Sequence, residues 1–175
     1  MNKYLRMASL GATIAALTLT ATPAAAYGLV NANPNATGHV KILQGLVLAS
    51  KQNLDLGTVV LAGSGTWSAT VSIDRNNAFD CDGGSGNVVC SGAPQRAMYN
   101  VQGSNNATVT IASGPVTLSN GTSTLTLTPD HAGSVLLTNS GAPGVDFGVG
   151  GSVTIRNTTP DGDYTGTFAL TAEYQ

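Results

Sequence analysis

The sequence predicts an all-β chain, an immunoglobulin-like β-sandwich of two antiparallel sheets. Three observations carry that prediction. Apolar and polar residues alternate with period 2 through most of the chain, as on strands with one face in a core and one in water. Thr, Val, Ser, Gly and Asn are abundant, while charged residues make up only 9%. Thr and Val suit a pleated, half-buried surface, and the long charged side chains that favour helices are scarce. Clusters of Gly, Asn, Pro and Asp recur between the alternating segments and read as the turns of a sandwich.

The elements follow in order. Residues 39–50 carry Val40, Ile42, Leu46 and Leu48 and predict a first strand. Residues 54–60 predict a second, short strand kinked at Gly57. Trp67, Ala69, Val71 and Ile73 then alternate with Ser68, Thr70 and Ser72. The pattern continues through Ala97, Tyr99 and Val101, through Ala107, Val109 and Ile111, through Leu125 and Leu127, and through Val153 and Ile155. The last run is the longest. It places Tyr164, Gly166, Phe168, Leu170, Ala172 and Tyr174 on one face. Turns are expected at Gly63-Ser64-Gly65, Gly103-Ser104-Asn105-Asn106, Asn120-Gly121, Pro129-Asp130, residues 140–144 and residues 160–163. The predicted core is Trp67, Val71, Tyr99, Val109, Ile111, Leu125, Leu127, Val153, Ile155, Phe168 and Leu170.

The start of the chain carries the pattern of an export signal. Lys3 and Arg6 precede an apolar stretch over residues 10–19, and Ala24 and Ala26 form an A-x-A cleavage site. Residues 1–26 are therefore expected to be removed, leaving Tyr27 as the first residue. The apolar stretch falls short of the ~20 residues that span a bilayer, and no second one follows, so no membrane span is expected. The periplasm, the cell surface and the extracellular space are the compartments implied. Roughly 150 residues remain, the size of one domain. Residues 27–38, with Asn31, Asn33, Pro34 and Asn35, read as a flexible arm, and residues 39–175 as a single sandwich domain.

Charge and cysteines narrow the function further. The chain holds 7 Lys+Arg against 9 Asp+Glu, and the leader takes Lys3 and Arg6 with it. No basic patch remains, which argues against nucleic acid as a partner. The 2 cysteines, Cys81 and Cys90, flank a Gly-rich turn. An oxidising compartment predicts a disulfide between them. Closing so short a loop stabilises by about 2–3 kcal/mol at most. The bridge is expected to pin a hairpin tip rather than to hold the domain together.

The candidate sites are few. Asp80-Cys81-Asp82-Gly83-Gly84-Ser85 looks like the opening of a calcium loop, but the twelfth position is Ser91 where a bidentate Glu is required. The segment reads as a tethered turn, and neither a metal nor a cofactor is expected. His39 and His131 have no nucleophile in a recognisable setting, and neither Ser64 nor Ser85 completes G-x-S-x-G. The carboxylates fall in turns, so no acid–base pair can be named and no enzymatic activity is expected. Trp67 could stack on a sugar, but it alternates with core positions and reads as core. Four N-x-T sites, at Asn35, Asn106, Asn120 and Asn157, read as turn Asn beside strand Thr.

Three segments together resemble a known pattern. They are residues 53–59 (NLDLGTV), residues 99–111 (YNVQGSNNATVTI), and residues 147–155 (FGVGGSVTI) followed by residues 162–168 (GDYTGTF). They resemble the bacterial secreted proteins grouped as domain of unknown function 4402. The opening Leu-Gly strand and the terminal strand are also similar to subunits of chaperone–usher pili of the archaic, spore-coat-U-like class. The cysteine hairpin is a departure from that pattern. The resemblance implies a structural, fimbria-like surface subunit, with self-association or a periplasmic chaperone as its partnership. In such subunits the final strand borders an open groove, filled by a strand from another chain. Tyr164, Gly166, Phe168, Leu170, Ala172 and Tyr174 are the expected assembly strand, and residues 40–48 an alternative donor to the Asn-rich arm. A self-complete sandwich acting as an adhesion module toward a surface ligand is the other reading the sequence leaves open.

Overall fold

The computed structural model describes residues 28–175; the signal peptide expected over residues 1–26, and the expected start at Tyr27, lie outside the described residues. The chain divides into two units, Met1–Val40 and Lys41–Gln175. In the first unit, residues 28–40 form neither helix nor strand and are exposed throughout. The second unit is all-β. Its strands are β1 (Val47–Gln52), β2 (Thr58–Leu61), β3 (Ser68–Ile73), β4 (Phe79–Cys81), β5 (Val88–Ser91), β6 (Ala97–Gln102), β7 (Thr108–Ala112), β8 (Val116–Ser119), β9 (Thr124–His131), β10 (Ser134–Leu136), β11 (Val145–Arg156) and β12 (Thr171–Tyr174). One turn of 3-10 helix, Asp82–Gly84, joins β4 to β5.

The strands form a sandwich-like, two-layer arrangement. One layer is a seven-stranded antiparallel sheet ordered β1-β6-β11-β3-β4, with β9 also on β11 and β8 on β9. Its spine is β11, 12 residues long, which pairs in turn with β6 (Val145↔Val101), β9 (Gly151↔Pro129) and β3 (Ile155↔Ala69). Small residues make that crowding feasible. A Cβ on Gly151 would lie 2.8 Å from Leu127 Cδ1, and one on Gly150 would run into the carbonyl oxygen of Ile73.

The second layer is in two pieces. A three-stranded sheet, β10-β7-β12, covers one half of the large sheet, and a two-stranded ribbon, β2–β5, covers the other. Each piece closes its own core. Val109, Ile111, Val135 and Leu137 pack with Ala97, Val101, Phe147 and Val149 under the three-stranded sheet. Val88 packs with Ala69, Val71, Leu127, Val153 and Ile155 under the ribbon, supported by the half-buried Val59. Leu54 and Phe168 touch both clusters.

The all-β expectation holds, with four revisions of detail. The first strand begins at Val47, so Val40 and Ile42 lie outside it and are 78% and 85% exposed. Pro129-Asp130 is not a turn but part of β9. It lies beyond the last β8 partner, Leu127, where β9 has an open edge that tolerates a missing N–H. The run over residues 164–174 is not one strand. Only Thr171–Tyr174 pairs with β7, and Thr165 makes a lone bridge to Ser119. The alternation persists as alternating exposure, but Phe168, Leu170, Ala172 and Tyr174 are half-buried. The core expectation divides the same way. Val71, Val109, Ile111, Leu127, Val153 and Ile155 are buried, while Trp67, Tyr99, Leu125, Phe168 and Leu170 are half-buried. Their faces follow the alternation; the extent of cover depends on the second layer.

Candidate functional site: a groove in the split layer

Between the β2 segment and the segment that leads into β12 runs a groove of about 1100 Å³ with an apolar floor and mixed polar and apolar walls. One wall is the segment from Gln52 to Leu61, including β2. The other is the segment from Thr159 to Phe168, and the floor includes Leu127, Val153 and Ile155 of the large sheet. Tyr99 stands at the floor between Phe147 and Phe168, with ring centroids 6.0 and 6.3 Å away. Partial burial raises the Tyr99 phenol above its ordinary pKa, a shift opposed by a hydrogen bond with Ser50.

Local sequence builds both walls. Leu54 and Leu56 alternate on one phase and Val59 and Leu61 on the other. Gly57, at φ 76°, shifts the phase between them, and its N–H donates to Asp55 Oδ1 at 2.7 Å. Asp55 and Gln95 exchange two 2.8 Å backbone hydrogen bonds that extend the β2–β5 ladder. A Cβ on Gly166 would sit 2.5 Å from the Thr117 carbonyl, so this wall approaches β8 closely only because Gly stands there.

Strand partners are missing on both sides of the groove. On one side, β2 is bonded to β5 alone. No strand covers residues 166–170. Such edges offer unpaired backbone groups next to apolar side chains, the arrangement that captures a further strand.

The expected assembly residues divide between two roles. Tyr164, Gly166 and Phe168 line the groove. Leu170, Ala172 and Tyr174 instead pack on the core under the three-stranded sheet. The Tyr174 hydroxyl donates to the Gln44 carbonyl at 2.7 Å and accepts from the Ser104 N–H at 2.8 Å. The β2 wall is absent from the sequence-based site, although the Leu54/Leu56 and Val59/Leu61 phase change marks it.

Cys81 and Cys90 form the expected disulfide, with Cα atoms 6.0 Å apart. Its placement overturns the hairpin-tip reading. Cys81 lies in β4, opposite Val71 in the seven-stranded sheet, and Cys90 lies in β5, opposite Val59 in the ribbon. β4 and β5 do not pair; the chain crosses from one layer to the other between them. The bridge therefore ties the layers together. The crossing loop is held by Asp82, whose carboxylate accepts from the Ser85 hydroxyl and, at 2.8 Å, from the Asn87 N–H. The Ser85 contact, more than the backbone N–H groups, lowers the Asp82 pKa against the cost of desolvation.

The remaining candidates are spread out. His131 Nδ1 lies 3.1 Å from the Ala132 carbonyl oxygen in β9. Trp67 packs half-buried against the core under the ribbon. Among the described residues, no three His, Cys, Asp or Glu side chains come together as a metal site. No helix among them is long and apolar enough to cross a membrane.

Residues 46–174 match the family model described as domain of unknown function, DUF4402. The chain belongs to this family. The match spans the strands from β1 to β12, so both walls of the groove lie within the DUF4402 region. Neither a curated protein nor a solved structure matches the chain.

Proposed function

We propose that this DUF4402 chain is an exported structural subunit, fimbria-like, whose split layer is completed by a β-strand from another copy. One observation carries the reading: an apolar-floored groove with an unpartnered strand edge, β2, on one side and the strandless residues 166–168 on the other. The donor is the segment before β1. Val40 and Ile42 alternate with His39 and Lys41 and are highly exposed, and β1 begins only at Val47. The domain thus keeps its own first strand while donating this one. Burying a Val and an Ile contributes about 1.5–3 kcal/mol each, before the backbone hydrogen bonds of a new ladder. The disulfide accords with an oxidising compartment. The role is architectural rather than catalytic.

Size-exclusion chromatography with light scattering of the mature chain tests this. Concentration-dependent oligomers are expected, and Val40→Asp with Ile42→Asp should leave a folded monomer. A wild-type chain that stays monomeric at every concentration would overturn the proposal and leave a self-complete adhesion module as the reading.

A further inference from the structure

The two walls of the groove are held in different ways. The wall at residues 159–168 continues into β12, which is hydrogen-bonded to β7 over Thr171–Tyr174. The other wall is anchored only at its start, where Gln52 closes β1 opposite Met98 of β6 and Asp55 pairs with Gln95; from Thr58 onward the β2–β5 ribbon has no such anchor. Among the described residues, no backbone hydrogen bond joins β2 or β5 to either of the other sheets. The contacts that close the end of the ribbon, from the Ala62 and Gly63 N–H groups to the Asn87 carbonyl, are internal to it. Two-stranded ribbons are marginally stable by themselves. What fixes this one to the large sheet is the packing of Val88 and Val59, with Leu54 and Leu56 at its start, and the covalent link from Cys90 to Cys81.

The bridge sits on the side of the ribbon away from the groove. Cys90 is on β5, while β2 presents the groove edge. The ribbon is arranged like a leaf bound along β5, with its open margin along β2. Both cysteines are half-buried rather than enclosed.

We infer that the Cys81–Cys90 bridge positions the β2–β5 wall, so that the groove accepts a strand only when the bridge is oxidised. This rests on the strand-accepting reading above. In the step involved, a dithiol reductant gives two electrons and two protons to the Cys81–Cys90 bond. The chain gains two thiols and the reductant becomes a cyclic disulfide. The ribbon then opens locally, while the large sheet and the β10-β7-β12 sheet keep their hydrogen bonds. Strand capture becomes a property of the oxidised exported chain, and a chain not yet oxidised is withheld from assembly.

The experiment compares the full mature chain, oxidised and reduced by a dithiol, with the double variant Cys81→Ala, Cys90→Ala. Two readouts are taken on each: amide hydrogen exchange by segment, and oligomer formation by light scattering. On loss of the bridge, exchange over β2 and β5 should rise by about tenfold or more, with β6, β7 and β11 unchanged. Oligomerisation should fall in parallel. Unchanged protection of β2 and β5 would overturn the inference, as would a loosened ribbon with full oligomerisation. Loss of protection across β6, β7 and β11 would overturn it too, because the bridge would then hold the whole domain. An oxidised chain that never oligomerises overturns the strand-accepting reading instead, and the exchange data still report whether the bridge holds the ribbon.

Discussion

The two pieces of the second layer do similar jobs by different means. The β10-β7-β12 sheet is anchored by ladder pairing on both edges of β7 and by four buried side chains, Val109, Ile111, Val135 and Leu137. The β2–β5 ribbon offers one buried side chain, Val88, with Val59 half-covered, and adds a disulfide. Its outward face shows Val60 and Val89, a cross-strand pair 53% and 57% exposed. A piece with many buried contacts can be held by burial alone. A narrow piece beside an open groove buries too little, and a covalent tie compensates for part of that deficit.

The sharpest way to break this comparison is to cut the core on each side. Ile111→Ala should cost about 3 kcal/mol, because the site under the three-stranded sheet cannot collapse. Val88→Ala removes two methyl groups at ~0.8 kcal/mol each and should cost about 1.5 kcal/mol, since the ribbon can settle. Urea denaturation of both variants compares them directly, and equal losses would mean that the ribbon is as firmly held as the sheet.

Phe168→Ala probes the boundary. A fully buried Phe costs about 3–5 kcal/mol to truncate, but Phe168 is half-buried at the groove, and about 2 kcal/mol is expected in the free chain. If a donated strand covers the ring, as proposed, the loss should grow in the oligomer. A thermal melt of monomer against oligomer separates the two.

Smaller still is Tyr174→Phe. It leaves the packing and removes the hydroxyl that bonds Gln44 and Ser104, at a cost of about 1 kcal/mol, read from the denaturation midpoint. The variant also tests whether β12 is fixed from its end, independently of the groove.

The least effect is expected from acid titration of surface carboxylates. Asp146 is held below its ordinary pKa of 3.8 mainly by Lys51, and Asp74 mainly by the Ala78 N–H. For a group depressed in the folded state, the stabilisation is fully present above the ordinary value and fades as pH falls through the lower folded value. Stability should therefore be flat from neutral pH down to the carboxylate range and decline below it. Asp146→Asn should reduce that decline slightly, which a series of melts from about pH 5 to 2 would show.

Much of the fold is legible in the sequence because strand alternation is a local signal. Val71, Val109, Ile111 and Leu127 are core by period 2 and are buried. Strands of three or four residues, such as β4, β5, β8 and β10, are too short for alternation to show. In β11, Gly148, Gly150 and Gly151 break the apolar pattern, and only the tail at Val153 and Ile155 is readable. The groove was half legible. Tyr164, Gly166 and Phe168 are marked by the terminal run, whereas β2 becomes a wall only through its pairing with β5.

By itself, the sequence determined the all-β class, the faces of the long strands, the pairing of Cys81 with Cys90 and the likeness to the DUF4402 family. Each of these depends on neighbours in the chain or on there being just 2 cysteines. Only the tertiary structure decided that β4 and β5 belong to different layers, that the disulfide spans them, and that the second layer is divided by a groove. The physical reason is that side-chain direction is set within a strand, while a strand's partner is set by contacts between residues far apart in sequence. The same alternating residues Phe168 and Ile111 point inward alike; one is half-covered and the other buried because of what the second layer places over them.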